Sequence, residues 1–146
     1  GIALTDTITT DCFLKDFQLT YSTLFSGVRH DSGDPFAWGE KMIAHYEALG
    51  IDPKRKTLLF SDSLDFERAD KLRKTFKDRV TVAFGIGTYI SNDTCEDPLN
   101  FVMKTTACNG MDVAKISDTP GKEMCKNEEY VDYLTRCIQW RLEHDR

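Results

Sequence analysis

Apolar and polar positions along the chain repeat a simple order. Four times a short apolar run ends in small polar or acidic residues, and a helical pattern follows. The first run, IALTDT, closes on Asp6 and Thr7. Phe13, Phe17, Tyr21 and Leu24 then recur at steps of four, four and three, the spacing of one helical face. The second run, GVRHDS, leads into DPFAWGEKMIAHYEALG. There Asp34 can cap a helix, Pro35 suits its first turn, Gly50 closes it, and Trp38, Met42, Tyr46 and Leu49 form the buried stripe. The third, TLLFSDS, precedes LDFERADKLRKTF, with a stripe of Phe66, Ala69, Leu72 and Phe76. The fourth, VTVAFGIGTY, is a β-branched run ending in glycines. Strands alternating with helices of this length predict βαβ units and a parallel sheet. The units differ in length and share little sequence, so they are not a repeat array.

After Asp93 the pattern changes. CEDPLN (95–100) reads as a loop, and FVMKTTACNGMDVAKIS as a β-hairpin turning at Asn109-Gly110. DTPGK (118–122) reads as a further turn. Asn127 then caps a last helix with Glu128 and Glu129 in its first turn and Val131, Leu134, Ile138 and Leu142 along its apolar stripe. Nothing in this stretch resembles a flexible inter-domain linker.

Composition narrows the possibilities. The 146 residues suffice for one domain with a real core, and 40% hydrophobic with 29% charged residues is an ordinary globular balance. A net charge of −5, with no Lys/Arg stripe to offset it, argues against a nucleic-acid partner. No apolar run approaches the roughly 20 residues of a membrane span, and no signal-peptide pattern opens the chain. Cys12, Cys95, Cys108, Cys125 and Cys137 are odd in number and scattered, without a CxxC pair. They are expected to be half-buried thiols in a reducing cytoplasm, not a disulfide framework or a zinc site. The chain opens directly on an apolar strand pattern, as though cut inside a larger fold.

The chemistry gathers where strands end. Parallel strands followed by helices put their C-termini on one face, where α/β proteins bind ligands. Three such ends carry one signature, Asp6-Thr7, Asp31-Ser32 and Asp62-Ser63, and the fourth carries Gly85, Gly87 and Thr88. One Asp-Ser pair at a strand-to-helix junction commonly just caps the helix. Three in register, with Arg29 beside them, point to a site. Arg29 and Asp31 are two apart and share a strand face, so both are expected to face a ligand. His30 points the other way and is expected to pack behind the site, with His45 and His144 on helix surfaces. GIGT alone could be a tight turn, but its glycines would let backbone N–H groups approach a phosphate.

GVRHDSGDP, LLFSDSLD and FGIGTYISND together resemble the strand-end segments of bacterial nicotinate phosphoribosyltransferases. ALTDTI and NGMDVAKISDTPGK resemble that family as well, so the likeness spans essentially the whole chain. The resemblance implies an α/β fold: part of an irregular, TIM-like α/β barrel of a type II phosphoribosyltransferase, followed by a β-hairpin and a C-terminal helix. Residues 1–94 would be barrel βα units carrying the phosphoribosyl site, and 95–146 the hairpin and helix of a second domain. It implies an enzyme of NAD biosynthesis and salvage that joins nicotinate to 5-phosphoribosyl-1-pyrophosphate. The products would be nicotinate mononucleotide and pyrophosphate, with Mg²⁺ and coupled ATP hydrolysis. Asp31 would be catalytic, and Arg29 and Ser32 would lie by the phosphoribosyl group or the nicotinate. Asp62 and Ser63 would reach the ribose, and Gly85, Gly87 and Thr88 the 5-phosphate. No residue of the chain is expected to bind a metal by itself.

The resemblance also implies that this is the C-terminal portion of the enzyme, inactive alone. The family couples ATP through a phosphorylated histidine upstream of ALTDTI, and none of His30, His45 or His144 corresponds to it. A homo-oligomer is a further expectation, since family members often build one site from two subunits. The alternatives are another phosphate-binding barrel enzyme, for which no Schiff-base lysine stands at a strand end, or a non-catalytic α/β binding or structural module.

Overall fold

The computed structural model describes residues 1–92, 94, 96–97, 101–119 and 124–144. Cys95, most of the loop at 95–100, and Pro120, Gly121 and Lys122 of the turn at 118–122 lie outside them. Four short strands, β1 (Ile2–Leu4), β2 (Gly27–His30), β3 (Thr57–Phe60) and β4 (Thr81–Phe84), form one sheet. They lie in sequential order and every pairing is parallel. The register sets Leu4 beside Arg29, and His30, Phe60 and Phe84 side by side, so β2, β3 and β4 end at one level. The segments following the strands are therefore neighbours.

The first connection departs from the expected single helix. The chain breaks into α1 (Thr10–Asp16) and α2 (Leu19–Leu24), with Phe17 between them at φ −81°, ψ 51°. Phe17 is buried and stacks on Phe13 at 4.5 Å, but Tyr21 and Leu24, expected on the same face, are 54% and 74% exposed. The cause is a competing set of bonds to the Phe17 carbonyl. The Ser22 hydroxyl donates to it at 2.6 Å and the His45 Nε2–H at 2.7 Å. His45 is thus a half-buried clamp and not the surface histidine expected.

The next two helices are α3 (Pro35–Ala48) and α4 (Phe66–Phe76). Their stripes pack on the sheet, where Trp38, Met42, Tyr46, Leu72 and Phe76 meet Val28, Leu58 and Phe60. Phe60 stacks between Phe76 and Phe84 at 5.8 and 6.0 Å. Leu49 is only half-buried, and Phe66 is exposed, its ring edge-on to Tyr89 at 5.7 Å. At the opposite end of the sheet from the strand-end loops, the buried Lys56 donates to the carbonyls of Thr23 and Phe25, closing the end of α2. Burial draws its ammonium below the ordinary lysine value, helped by neighbouring Arg55.

A one-turn helix, α5 (Thr88–Ser91), follows β4. The hairpin is shorter than its sequence suggests. Strands β5 (Ala107–Cys108) and β6 (Met111–Asp112) pair antiparallel around Asn109 and Gly110, at φ +51° and +77°. Both central residues thus have the left-handed geometry that an Asn-Gly turn supplies. Helix α6 (Glu128–His144) is capped by Asn127, whose side chain accepts from the Tyr130 amide at 3.1 Å. It packs on α1 through Ile138, Cys12 and Ile116, fastened by an Arg141–Asp16 ion pair. Among the described cysteines Cys12 is buried, Cys108 and Cys137 are exposed, and only Cys125 is half-buried as expected; all four are free. No described helix is long and apolar enough to cross a membrane.

Candidate functional site

The three aspartates at strand ends do not cap the helices that follow. Thr9 caps α1, Asp34 caps α3 and Asp65 caps α4, each accepting from a backbone amide. Asp6, Asp31 and Asp62 each stand three residues earlier in the sequence. With the capping role filled by other side chains, helix capping does not account for these three aspartates. After β4 the pattern changes again: the cap position is Gly87, which offers no side-chain acceptor.

Register brings two of the aspartates together. Leu4 pairs with Arg29, so the next inward positions, Asp6 and Asp31, stand side by side above the sheet. Arg29 Nη2 holds Asp31 Oδ1 at 2.9 Å, and Arg29 Nε donates to Ser61 Oγ at 2.8 Å. Ser61 in turn donates to the His30 carbonyl at 2.9 Å, which fixes it at the end of β3. Arg29 and Asp31 do share a face, and that face is open, with Arg29 exposed.

Asp6 is buried, and one of its oxygens accepts three hydrogen bonds. Ser32 Oγ donates at 2.7 Å, Lys115 Nζ at 3.0 Å and Ser117 Oγ at 3.1 Å, all to Oδ2. Burial alone would raise this carboxyl, but Ser32, Lys115 and Ser117 outweigh it and hold it below the ordinary carboxylate value. Ser32 is thereby buried and committed to Asp6. Lys115 Nζ also lies 3.7 Å from Asp31 Oδ2.

His30 is the buried packing histidine that its strand position implies. Its ring lies edge-on to Trp38 at 5.2 Å, and neither ring nitrogen makes a well-formed hydrogen bond among the described residues. Burial lowers its basicity, a tendency that nearby Asp62 partly opposes, so the ring is neutral at neutral pH. His144 stacks on Trp140 at 4.7 Å on α6.

Beside the charged network lies an open cavity of about 540 Å³ at the ends of β3 and β4. Ser61, Ser63, Leu64, Asp65, Gly85, Gly87, Thr88, Tyr89 and Asn92 line it. Ser63 takes φ +50°, unusual for a residue with a side chain, and its hydroxyl donates to Asp62 at 3.2 Å. Ser61 borders both the cavity and Arg29, so the charged network and the glycine turn form one continuous surface. Of the sequence-derived candidates, Ser63, Gly85, Gly87 and Thr88 line the cavity. Arg29 and Asp31 flank it through Ser61, Asp62 adjoins it through Ser63, and Ser32 stands apart beneath Asp6.

Sequence reasoning missed Lys115, Ser117, Asp118 and Thr119. The Asp118 carboxylate accepts from the Thr10 amide at 3.0 Å, and Thr119 Oγ1 accepts from the Gly33 amide at 3.1 Å. This return segment crosses the loops after β1 and β2 from about a hundred residues away. Its only signal was a stretch resembling the family's sequence, with no local chemistry to single out Lys115. Among the described residues no three His, Cys, Asp or Glu side chains gather as a metal site.

Comparison with known proteins fits this geometry. The model of the nicotinate phosphoribosyltransferase (NAPRTase) family matches residues 1–140. Nicotinate phosphoribosyltransferase 2 of Pseudomonas aeruginosa is 55% identical over 143 residues, covering 95% of this chain and 35% of its own length. The nicotinate phosphoribosyltransferase of Proteus mirabilis is 55% identical over 142 residues, 94% of this chain and 34% of its own. The crystal structure of the Vibrio cholerae nicotinate phosphoribosyltransferase superposes with a TM-score of 0.91 at 48% identity, covering 94% of this chain and 35% of that one. That of the Porphyromonas gingivalis enzyme gives 0.83 at 41%, covering 93% and 37%. The chain spans about a third of the length of the curated relatives it matches.

Proposed function

Because the chain belongs to the nicotinate phosphoribosyltransferase family, we propose that it is part of an enzyme joining nicotinate to 5-phosphoribosyl-1-pyrophosphate. The products are nicotinate mononucleotide and pyrophosphate, a step of NAD biosynthesis. The observation that carries this reading is the surface at the strand ends, where a charged network meets a glycine-lined cavity. The cavity falls within the roughly 300–1,000 Å³ usual for small-molecule sites. The sequential strand order, without the reversal of a doubly wound sheet, supports a segment of a TIM-like barrel. Residues 1–94 then form its βα units, and 95–146 belong to a second domain.

The phosphoribosyl group sits over the ends of β3 and β4. Gly85, Gly87 and Thr88 take the 5-phosphate, with backbone N–H groups as donors where no side chain intervenes. Asp62 and Ser63 reach the ribose hydroxyls, and Arg29 lies toward the anionic substrate. Ser32 acts indirectly, by orienting Asp6. Displacing pyrophosphate from the anomeric carbon passes through an oxocarbenium-like state, and the Asp31 carboxylate favours its positive charge. Positioning both substrates on one rigid rim supplies much of the remaining rate.

Magnesium, which the family resemblance implies, fits this rim only as a companion of the pyrophosphate. Asp6 and Asp31 are already paired with cations, and Mg²⁺ commonly binds through substrate phosphates and one or two carboxylates. ATP coupling belongs to other parts of the enzyme. His30 is buried, His45 is bonded to Phe17, and His144 lies on α6, so none is suited to carry a phosphoryl group.

Asp31→Asn in the complete enzyme tests the reading. Losing one well-placed electrostatic partner typically costs about 2.7–4 kcal/mol of transition-state stabilisation. That corresponds to a fall in kcat of roughly 10²–10³-fold. Because Asp34 caps α3, the melting temperature should change little. Wild-type turnover in this variant would contradict the role of Asp31.

A further inference from the structure

We propose that Lys115 is a positioning residue for Asp31, holding its carboxylate from the side opposite Arg29 while Asp6 anchors the lysine. The inference rests on the phosphoribosyltransferase reading, in which the orientation of Asp31 governs turnover. Each oxygen of Asp31 faces a different cation. Arg29 Nη2 is 2.9 Å from Oδ1, and Lys115 Nζ is 3.7 Å from Oδ2. With both present, rotation of the carboxylate is opposed at both oxygens; removing Lys115 takes away the cation that faces Oδ2.

A lysine on a flexible stem positions nothing unless it is itself held. Lys115 is held by a carboxylate that is only 1% exposed and that also receives the Ser32 and Ser117 hydroxyls. On the backbone side, the Ile116 amide donates to the Thr7 carbonyl at 3.2 Å. The lysine head is therefore fixed between a buried anion and the exposed rim, with 23% of its side chain open to solvent. An ion pair on open surface would have no such leverage. Asp6, Lys115 and Asp31 thus form a line from the buried interior to the reacting face, and Lys115 is its middle member.

The test compares kcat in the complete enzyme for wild type, Lys115→Met, Asp31→Asn and the double variant. Lys115→Met is expected to lower kcat about tenfold while KM for nicotinate moves less than about threefold. Lys115→Arg should restore much of the loss. In the Asp31→Asn background, Lys115→Met should cost less than about twofold, because no charge remains to be positioned. Equal losses in both backgrounds, or no loss in either, would overturn the proposal. Should Lys115→Met fail to fold, Asp6→Asn with Lys115→Met removes the buried charge together with its partner, and the same comparison is made on that pair. A crystal structure of the variant reads the claim without turnover: an Asp31 carboxylate rotated from its Arg29-bound position supports it, and an unmoved one contradicts it. The phosphoribosyltransferase reading fails separately, by wild-type enzyme that forms no nicotinate mononucleotide; full activity of Asp31→Asn retires the catalytic role of Asp31 and leaves that reading standing. The crystallographic comparison still decides on Lys115 in either case.

Discussion

Gly39 and Gly87 lack side chains for opposite reasons. A Cβ at Gly39, in the middle of α3, would stand 2.5 Å from the Phe76 ring, which is fully buried and cannot withdraw. Ala is normally better than Gly in a helix by about 1 kcal/mol. Overpacking a core costs about 1–3 kcal/mol, so the clash should win. Gly39→Ala is therefore expected to lower the melting temperature by a few degrees, and a rise would show that Phe76 can yield. At Gly87 the added Cβ meets nothing within 4 Å, so no neighbour crowds a side chain there. Packing does not require glycine there; a cavity that takes a phosphate does. Gly87 was legible in the motif. The demand at Gly39 was not, because it arises from a ring on another helix.

At the scale of elements, local signals were read well and cross-chain ones poorly. Periodicity located α3 and α4, and the Asp34 cap the start of α3, since both signals depend on residues within a few positions of one another. The division of the first helix at Phe17 was not legible, because His45 of α3 takes the carbonyl that would have continued it. The three strand-end aspartates were found from their recurrence, but the caps at Thr9 and Asp65, which take the capping role from Asp6 and Asp62, emerged only in the structure. Also not legible was the fastening of the return segment to Asp6 through Lys115 and Ser117. This fastening makes a prediction about acid. Asp6 is held below its ordinary value of 3.8, so its contribution to stability is fully present above that pH. It is lost as pH falls through the lower, folded-state value, where protonation is forced on the carboxyl. Asp6→Asn should therefore flatten the loss of thermal stability below about pH 4, measured as melting temperature against pH. An unchanged acid slope would mean that other carboxylates dominate it.

For the whole molecule, the sheet is the determining feature. β1 and β4 each have a single partner among the described strands, leaving two unpaired edges. Exposed strand edges are templates for pairing with another chain. The isolated 146-residue chain is expected to self-associate, and a single monomeric species in sedimentation across a wide concentration range would contradict this. The same sheet brings four strand ends to one rim, and the central claim is that this rim holds the phosphoribosyl donor. Gly87→Val in the complete enzyme tests it most directly, through steady-state kinetics beside a thermal melt. Losing a phosphate contact of about 1.4 kcal/mol corresponds to tenfold in binding. KM for 5-phosphoribosyl-1-pyrophosphate should then rise about tenfold or more, with KM for nicotinate and the melting temperature nearly unchanged. Equal rises for both substrates with the fold intact, or none for either, would contradict the account.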